Sequence, residues 1–455
     1  MENTFEVGQK LNIQIRSLGI NGEGIGYSNK MAIFVDYALP DENVDIEIVE
    51  VFDNRLVGKI IEIIKPSEFR IEPFCPIYEK CGGCQLQHYD PIKVSESKKE
   101  ILVEALRRYA KHGIDFDLVK DTIRSDKEVG YRNKASLPVR FNGRNHVGMY
   151  EANSRKFIQM DACPIQNPVV NEIVSSILRL LDIYKIKGYD EKYKQGDIAS
   201  LVVRTSSIDE VQVTFVMLKN HSKLIELAKE LIEKDPRIVS VFKVIDKKFQ
   251  AIGFFNSSLV KLAGKDTIHE VLHGYHFQLK PEAFFQLNPN QADKFYSEMV
   301  RLAELKKHDV VIDAFAGSAP VSHYIAALCR QVYAIEIDKE ACHSAKISLE
   351  KNGITNVTVL QSDFKRALSG LQKKRIDVMF FDPPRIGLGE ETIELILKAR
   401  PRKIIYGSCN PSTLAKDLNL LLKAYDLKEI IPIDMFPQTA LVESISLLVL
   451  KQQNK

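Results

Sequence analysis

Two residue types able to do covalent and acid–base chemistry stand in the last part of the chain. One is a lone cysteine in Tyr406-Gly-Ser-Cys409-Asn410-Pro411; the other is Glu443, just past Phe436-Pro-Gln-Thr439. The apolar run Lys403-Ile-Ile-Tyr406 predicts a strand that delivers Cys409 to a proline-terminated turn. A thiol and a carboxylate at the lip of a sheet make a nucleophile and a candidate base. A free thiol with pKa of roughly 8.5 is only a few per cent ionised at neutral pH, so a nearby cation or dipole is needed. Arg385, in the upstream Asp382-Pro-Pro-Arg385, is the candidate cation by proximity of motif.

A second constellation is Cys75, Cys81-Gly-Gly-Cys84 and, much later, Cys163-Pro164. Closely spaced cysteines separated by glycines can wrap tightly round a cluster, and a following proline is common beside iron–sulfur ligands. Four cysteines also suit structural zinc, and donor chemistry alone leaves the two open. The seven cysteines are an odd number, which argues against a disulfide framework. Cys329 and Cys342 lie on predicted helices and read as core packing.

The chain that must position these groups has 455 residues, too long for one core, and predicts roughly two or three domains. Hydrophobic residues make up 45%, and 63 basic residues nearly balance 60 acidic ones. That composition reads as globular with no uniform field for nucleic acid, so any RNA contact must come from local patches. The start, Met1-Glu-Asn-Thr-Phe-Glu, lacks a basic leader, and no apolar run approaches the roughly 18 residues of a membrane span. No membrane contact and a cytoplasmic location are expected.

The predicted fold is multidomain α/β. Short β-branched runs over residues 1–64, separated by Gly22-Glu-Gly-Ile-Gly26 and Pro40-Asp, predict a small barrel of the oligonucleotide-binding sort. Residues 65–275 mix strands with helices over Glu96–Lys111, Val169–Leu181 and Ser222–Lys234, an α+β middle domain. Residues 276–455 alternate strand and helix, which demands crossovers and a parallel, doubly wound sheet. Strands ending near Asp313, Glu336, Asp363 and Asp382 place four acids at their carboxyl ends, where ligands bind such sheets. Glu336 is placed to accept both ribose hydroxyls of a nucleoside cofactor, and Asp363 its adenine amino group.

Taken in order, Phe285-Gln286-Leu-Asn288-Pro-Asn-Gln291, Glu336-Ile-Asp, Asp382-Pro-Pro-Arg385-Ile-Gly387-Leu, Ser408-Cys409-Asn410-Pro411-Ser-Thr413-Leu-Ala-Lys-Asp417 and Phe436-Pro437-Gln438-Thr439 with Glu443 closely resemble the RNA 5-methyluridine methyltransferases. The barrel looks like their TRAM domain, and Tyr131-Arg132-Asn133-Lys134 matches a middle-domain motif. The resemblance covers essentially the whole chain. It implies S-adenosylmethionine as methyl donor, with Gln286, Phe315, Glu336 and Asp382 at cofactor-contacting positions. It implies that Cys409 adds to uracil C6 and that Glu443 removes the C5 proton after methyl transfer.

The resemblance also implies a 4Fe–4S cluster on Cys75, Cys81, Cys84 and Cys163, with zinc as the rival. Cluster and barrel together resemble the 23S ribosomal RNA branch more than the transfer RNA branch. Arg132 and Lys134 become RNA contacts, and the target is a uridine flipped from a single-stranded loop or bulge by a monomeric enzyme. Lys98, Lys99, Arg107, Arg108 and Lys111 on the early middle-domain helix read equally as phosphate contacts or as a solvated face.

Two departures from the family pattern stand out. Asp313-Ala-Phe-Ala-Gly317-Ser-Ala319-Pro320 lacks the second glycine of a Gly-x-Gly turn. A left-handed Ala319 would cost roughly 1–2 kcal/mol, which taken from binding would weaken the cofactor roughly ten- to thirtyfold. Leu441 stands where the family usually has histidine, and an apolar neighbour is expected to raise the pKa of Glu443. The alternatives are a non-catalytic RNA-binding or ribosome-assembly paralogue with a drifted cofactor loop, a transfer RNA uracil-C5 methyltransferase, and an amino-group methyltransferase. Against the last stand Arg385 after the two prolines, and the cysteine itself.

Overall fold

Alternating β-branched residues build the N-terminal module from strands alone. The structure, a computed structural model, describes residues 5–111, 113–152, 154–246, 258–371 and 374–452, so the first four residues of the expected barrel lie outside the described residues. Strands β1 (Lys10–Leu18), β2 (Gly24–Ser28), β3 (Met31–Val35), β4 (Asn43–Phe52) and β5 (Arg55–Lys65) form a closed barrel in the order β1-β2-β3-β5-β4, with β4 returning to β1. Closure leaves no open sheet edge. Its core is the inward set Ile13, Ile15, Ile33, Val35, Val44, Ile46, Ile48 and Leu56. Helix α1 (Pro91–Tyr109) starts five residues before the expected Glu96. Asp90 accepts from the Ile92 and Lys93 amides and Pro91 takes the first turn, an N-terminal signal that outweighs apolar periodicity alone.

The described residues fall into two units. Met1–Tyr78, Gly83–Asp126 and Asp382–Lys455 form one; Glu79–Gly82 and Lys127–Phe381 form the other. The second unit opens with β6 (Lys134–Asn142), β7 (Arg144–Tyr150), β8 (Phe157–Met160), α2 (Pro168–Ile183), β9 (Ile198–Thr205), β10 (Val211–Met217), α3 (Leu224–Lys234), β11 (Ile238–Ile245) and β12 (Val260–Gly264). These strands make one sheet, β12-β11-β10-β9-β6-β7-β8. Only β10 and β11 run parallel, because α3 between them supplies the crossover that parallel neighbours need. A hairpin of β13 (Ile268–Leu272) and β14 (Tyr275–Leu279) follows, then α4 (Pro289–Ala303).

The rest of that unit is the alternation read from the sequence: β15 (Val310–Ala314), α5 (Pro320–Ala326), β16 (Gln331–Glu336), α6 (Lys339–Lys351), β17 (Val357–Gln361), α7 (Phe364–Gly370) and β18 (Val378–Phe381). The order is β17-β16-β15-β18, every pair parallel. Strand β15 lies between β16 and β18, so the chain reverses its direction of growth there. That is the switch point of a Rossmann-like sheet, where a ligand crevice opens at the carboxyl ends.

The first unit is completed by α8 (Gly389–Ala399), β19 (Lys403–Ser408), α9 (Pro411–Leu421), β20 (Tyr425–Ile433) and β21 (Glu443–Leu450). Both pairings of β21, with β19 and with β20, are antiparallel. Among the described residues no helix is long and apolar enough to cross a membrane.

Candidate active site

The register of β19 against β21 brings the nucleophile and base candidates together. The ladder ends with Ser408 facing Ser444, and at that same end Cys409 follows directly on β19 and Glu443 opens β21. Cys409 is half-buried and Glu443 is 8% exposed. Burial pushes the Cys409 thiol up to about 11, with the Glu443 and Asp382 carboxylates adding, while Arg385 pulls it down without compensating. Burial pushes Glu443 up to about 8, Asp382 adds, and Arg385 and Lys98 oppose. Asp382 itself is raised to about 6 by burial. The expected help from Arg385 is thus real in direction and insufficient in size. The expected rise of Glu443 comes from burial of the carboxyl; Leu441 is itself 37% exposed.

The loop bearing Arg385 is tied to the nucleophile turn. The Arg385 carbonyl accepts from Asn410 Nδ2 at 3.1 Å and from Thr413 Oγ1 at 3.2 Å. Asp417, buried on α9, accepts from the Leu388 amide at 2.8 Å and from the Tyr406 hydroxyl at 2.7 Å. Gly387 has φ of 81°. A β-carbon there would stand 2.6 Å from Asp417 Oδ2, so glycine is required for the loop to close on the helix. Tyr406 and Asp417 were visible in the motifs but had no assigned role. Their signal was a buried acid next to a strand-borne tyrosine.

Glu443 follows a loop held by three separate parts of the same unit. Lys98 lies on the apolar stripe of α1 with Val94, Ile101, Leu102 and Ala105, and is fully buried. Its ammonium pairs with Asp434 and donates to the Phe436 carbonyl at 3.0 Å. Gln438 is left-handed, with φ of 69°, and its carbonyl accepts from the Gln85 and Leu86 amides, both at 3.0 Å. Gly22 of the barrel, φ of 92°, packs so closely that a β-carbon would lie 2.9 Å from Gln85 Cβ and 3.2 Å from Ala440 Cβ. Lys98 as a phosphate contact is therefore overturned: helical spacing puts it inward. Lys99 pairs with Asp121 at 2.8 Å, Arg107 pairs with Glu104 and Arg108 lies over Tyr109; the Lys111 amide donates to Asn419 Oδ1.

In the second unit, Phe315, Glu336 and Asp363 follow or close β15, β16 and β17 at the carboxyl ends. Glu336 accepts from the Gly317 amide at 2.9 Å and from the Ile337 and Asp338 amides at 2.7 and 2.8 Å. A carboxylate has roughly four acceptor positions, so one stays open for a ribose hydroxyl without displacement. Exposed Ile337 beside it offers an apolar rim that the sequence reading missed. Asp363 caps α7 by accepting from the Arg366 amide at 2.9 Å. Phe315 lies parallel to Phe364, centroids 6.4 Å apart. The Gln286 carbonyl accepts from Asn133 Nδ2 at 3.4 Å, and the Asn133 amide donates to the Leu287 carbonyl at 2.9 Å, joining the Tyr131–Lys134 and Phe285–Asn288 motifs.

The turn after β15 holds the first departure. Phe315, Gly317 and Ala319 are all left-handed, with φ of 60°, 54° and 62°. Ala319 is fully buried against Ala316, Ala334 and Ala345. Its carbonyl accepts from the His323 amide at 3.2 Å and bonds His323 Nδ1 at 2.8 Å. Asp313 accepts from the Ser322 amide and hydroxyl at 3.0 and 2.6 Å, fixing the next turn.

Lys134 opens β6, and burial beside Arg204 pushes it down to about 7. Arg132 has a buried Nε without a hydrogen-bond partner among the described residues. All four candidate ligand cysteines are half-buried. The Cys75 amide donates to Gln87 Oε1 at 3.2 Å, and Cys163 exchanges two hydrogen bonds with Asn171. Among the described residues, no group of three or more His, Cys, Asp or Glu side chains is arranged to hold a metal ion. Cys329 and Cys342 are buried, as core packing requires.

Known proteins match this arrangement. The profile of the tRNA (uracil-5-)-methyltransferases matches residues 95–452. The chain belongs to that family. The TRAM domain profile matches residues 4–61. Uncharacterised RNA methyltransferases of Bacillus cereus and Listeria monocytogenes are 34% and 35% identical to the chain, with 99% of it and at least 99% of each relative covered. The crystal structure of Pyrococcus abyssi tRNA (uracil-54, C5)-methyltransferase with S-adenosyl-L-homocysteine superposes with a TM-score of 0.76 at 24% identity, covering 96% of this chain and 99% of that one. The fold is shared. The protein is a class I, S-adenosylmethionine-dependent RNA (uracil-C5)-methyltransferase.

Proposed function

We propose that the protein methylates C5 of a specific uridine in 23S ribosomal RNA through a covalent adduct between Cys409 and uracil C6, resolved by Glu443. The observation that supports this most is that Cys409 and Glu443 lie at the same end of the β19–β21 ladder and share the fields of Asp382 and Arg385. The Cys409 thiol gives its proton to solvent and its sulfur bonds C6, moving the C5–C6 electron pair to C5. S-adenosylmethionine, when bound, supplies the methyl group that C5 takes. Glu443 in its ionised form then removes the C5 proton, the C5–C6 double bond reforms, and the C6–sulfur bond breaks to return the thiolate. With Cys409 raised to about 11 and Glu443 to about 8, each must lose its proton before it can act.

Gln286, Phe315, Glu336, Asp363 and Asp382 would hold the methyl donor, and Arg132 and Lys134 the RNA. Cys75, Cys81, Cys84 and Cys163 are half-buried thiols of the type a 4Fe–4S cluster takes, and these four would hold it. Its chemistry there would be structural, with no step of methyl transfer passing through it.

The test incubates the full chain with methyl-labelled S-adenosylmethionine and either unmodified 23S ribosomal RNA or unmodified transfer RNA, then digests to nucleosides. Label in 5-methyluridine from the ribosomal RNA alone is expected. Label from transfer RNA alone would overturn the target, and no label from either would overturn the activity and favour the non-catalytic paralogue.

A further inference from the structure

The least expected feature of the first unit is a fully buried lysine against the loop that leads to the candidate base. Lys98 comes from α1, far from the sheet in sequence, and ends between Asp434, which follows β20, and the Phe436 carbonyl in the loop that leads to Glu443. The groups acting on Glu443 are Asp382 and Arg385 before α8, Cys409 just after β19, and Lys98, which is itself paired with Asp434. Burying an ion pair is expensive unless geometry and further hydrogen bonds repay the desolvation. A clamp meant only to fix the loop could be built from apolar side chains at lower cost. What apolar side chains cannot supply is a fixed positive charge near a carboxylate that must ionise in a closed site.

We propose that Lys98 is a positioning residue for the reaction: anchored by Asp434, it clamps the loop carrying Glu443 and its charge holds that carboxylate ionisable enough to remove the C5 proton. The clamp has a second point, the left-handed Gln438, whose carbonyl is gripped by the Gln85 and Leu86 amides and backed by Gly22 of the barrel. The barrel and the segment after Cys84 thereby act on the base loop as scaffold, in addition to any contact with RNA. This inference rests on the covalent reading above. Its specific consequence falls on one step: loss of the charge leaves adduct formation intact and slows adduct breakdown.

The experiment uses the full chain, an RNA it methylates and labelled S-adenosylmethionine, and measures from pH 6 to 10 the share of protein in a denaturation-resistant, methylated RNA adduct. Lys98→Met alone removes one charge of a buried pair, so the informative variant is Lys98→Met/Asp434→Leu, since an apolar pair commonly replaces a buried ion pair without loss of stability. The double variant is expected to hold several-fold more adduct, with the midpoint of adduct breakdown moved up by roughly one pH unit. Should it fail to fold, Lys98→Gln serves, because it removes the charge while keeping a hydrogen-bond donor for Asp434 and the Phe436 carbonyl, and the midpoint must again move up. An unmoved midpoint in the folded variant overturns the inference, since a purely structural clamp would move only stability. Adduct in the parent and in Glu443→Gln with no effect of Lys98 refutes this inference alone. No adduct in either refutes the covalent reading as well.

Discussion

Ala319→Gly tests whether the strained cofactor turn is a defect in binding or a property of the fold. Ala319 is held left-handed by the fold itself, through its burial against Ala316, Ala334 and Ala345 and the bonds of its carbonyl to His323, so its strain of roughly 1–2 kcal/mol does not depend on cofactor contacts. A cost carried equally by free and bound states cancels from the binding free energy. The ten- to thirtyfold weakening inferred from sequence is therefore not expected. Stability should also change little, because three effects offset. Glycine relieves roughly 1–2 kcal/mol of strain, but loses about 0.8 kcal/mol of buried methyl and about 0.4–1 kcal/mol through a freer unfolded chain. The methyl matters because Ala319 is fully buried among Ala316, Ala334 and Ala345. Calorimetric titration with S-adenosylmethionine should give a Kd within about threefold of the parent, with unfolding free energy within about 1 kcal/mol. Tenfold tighter binding by Ala319→Gly would show that the strain is met on binding, and would refute the reasoning.

Turnover should climb through pH 8, because Glu443 must be ionised and is raised to about 8; a pH–rate profile flat above pH 5 would contradict this. The same shift predicts that Glu443→Gln stabilises at alkaline pH. The folded protein keeps this proton up to about 8 while the unfolded chain releases it near the usual value of 4.5, so parent stability from this group falls between those limits. Thermal melts at pH 9 should show the variant the more stable, by an amount on the order of several kcal/mol, and equal melts there would sink the idea. Gly387→Ala places a methyl 2.6 Å from Asp417 Oδ2 in a left-handed backbone. It should cost roughly 1–3 kcal/mol in denaturant unfolding and displace the Arg385 loop; wild-type stability and activity would contradict it. Anaerobically prepared protein should contain iron and acid-labile sulfide that are lost together in Cys75→Ser, whereas stoichiometric zinc would identify the other metal.

Local signals read well from sequence where chemistry and periodicity agreed. The strand–turn that carries Cys409, the alternation from Val310 onward and the barrel follow directly from runs of residue types. Lys98 was misplaced because composition says lysines face water, while its spacing from Val94, Ile101 and Ala105 says the opposite; the apolar stripe decided. The Asp417–Tyr406–Leu388 lock and the Gln438 carbonyl grip were illegible for a different reason: each joins residues distant in sequence through a backbone group, which carries no signature of its own. Ala319 was readable only as a conditional. Its left-handed geometry depended on the small-residue packing of Ala334 and Ala345, which sequence does not locate.

The most direct measurement is the mass of the covalent species in Glu443→Gln incubated with RNA and S-adenosylmethionine, followed by nuclease and protease digestion. The account predicts a peptide containing Cys409 that carries a 5-methylated uridine nucleotide, absent when Cys409→Ala is combined with the same variant. Normal release of 5-methyluridine by Glu443→Gln with no such peptide would show that another group removes the C5 proton, and would contradict the assignment of the base.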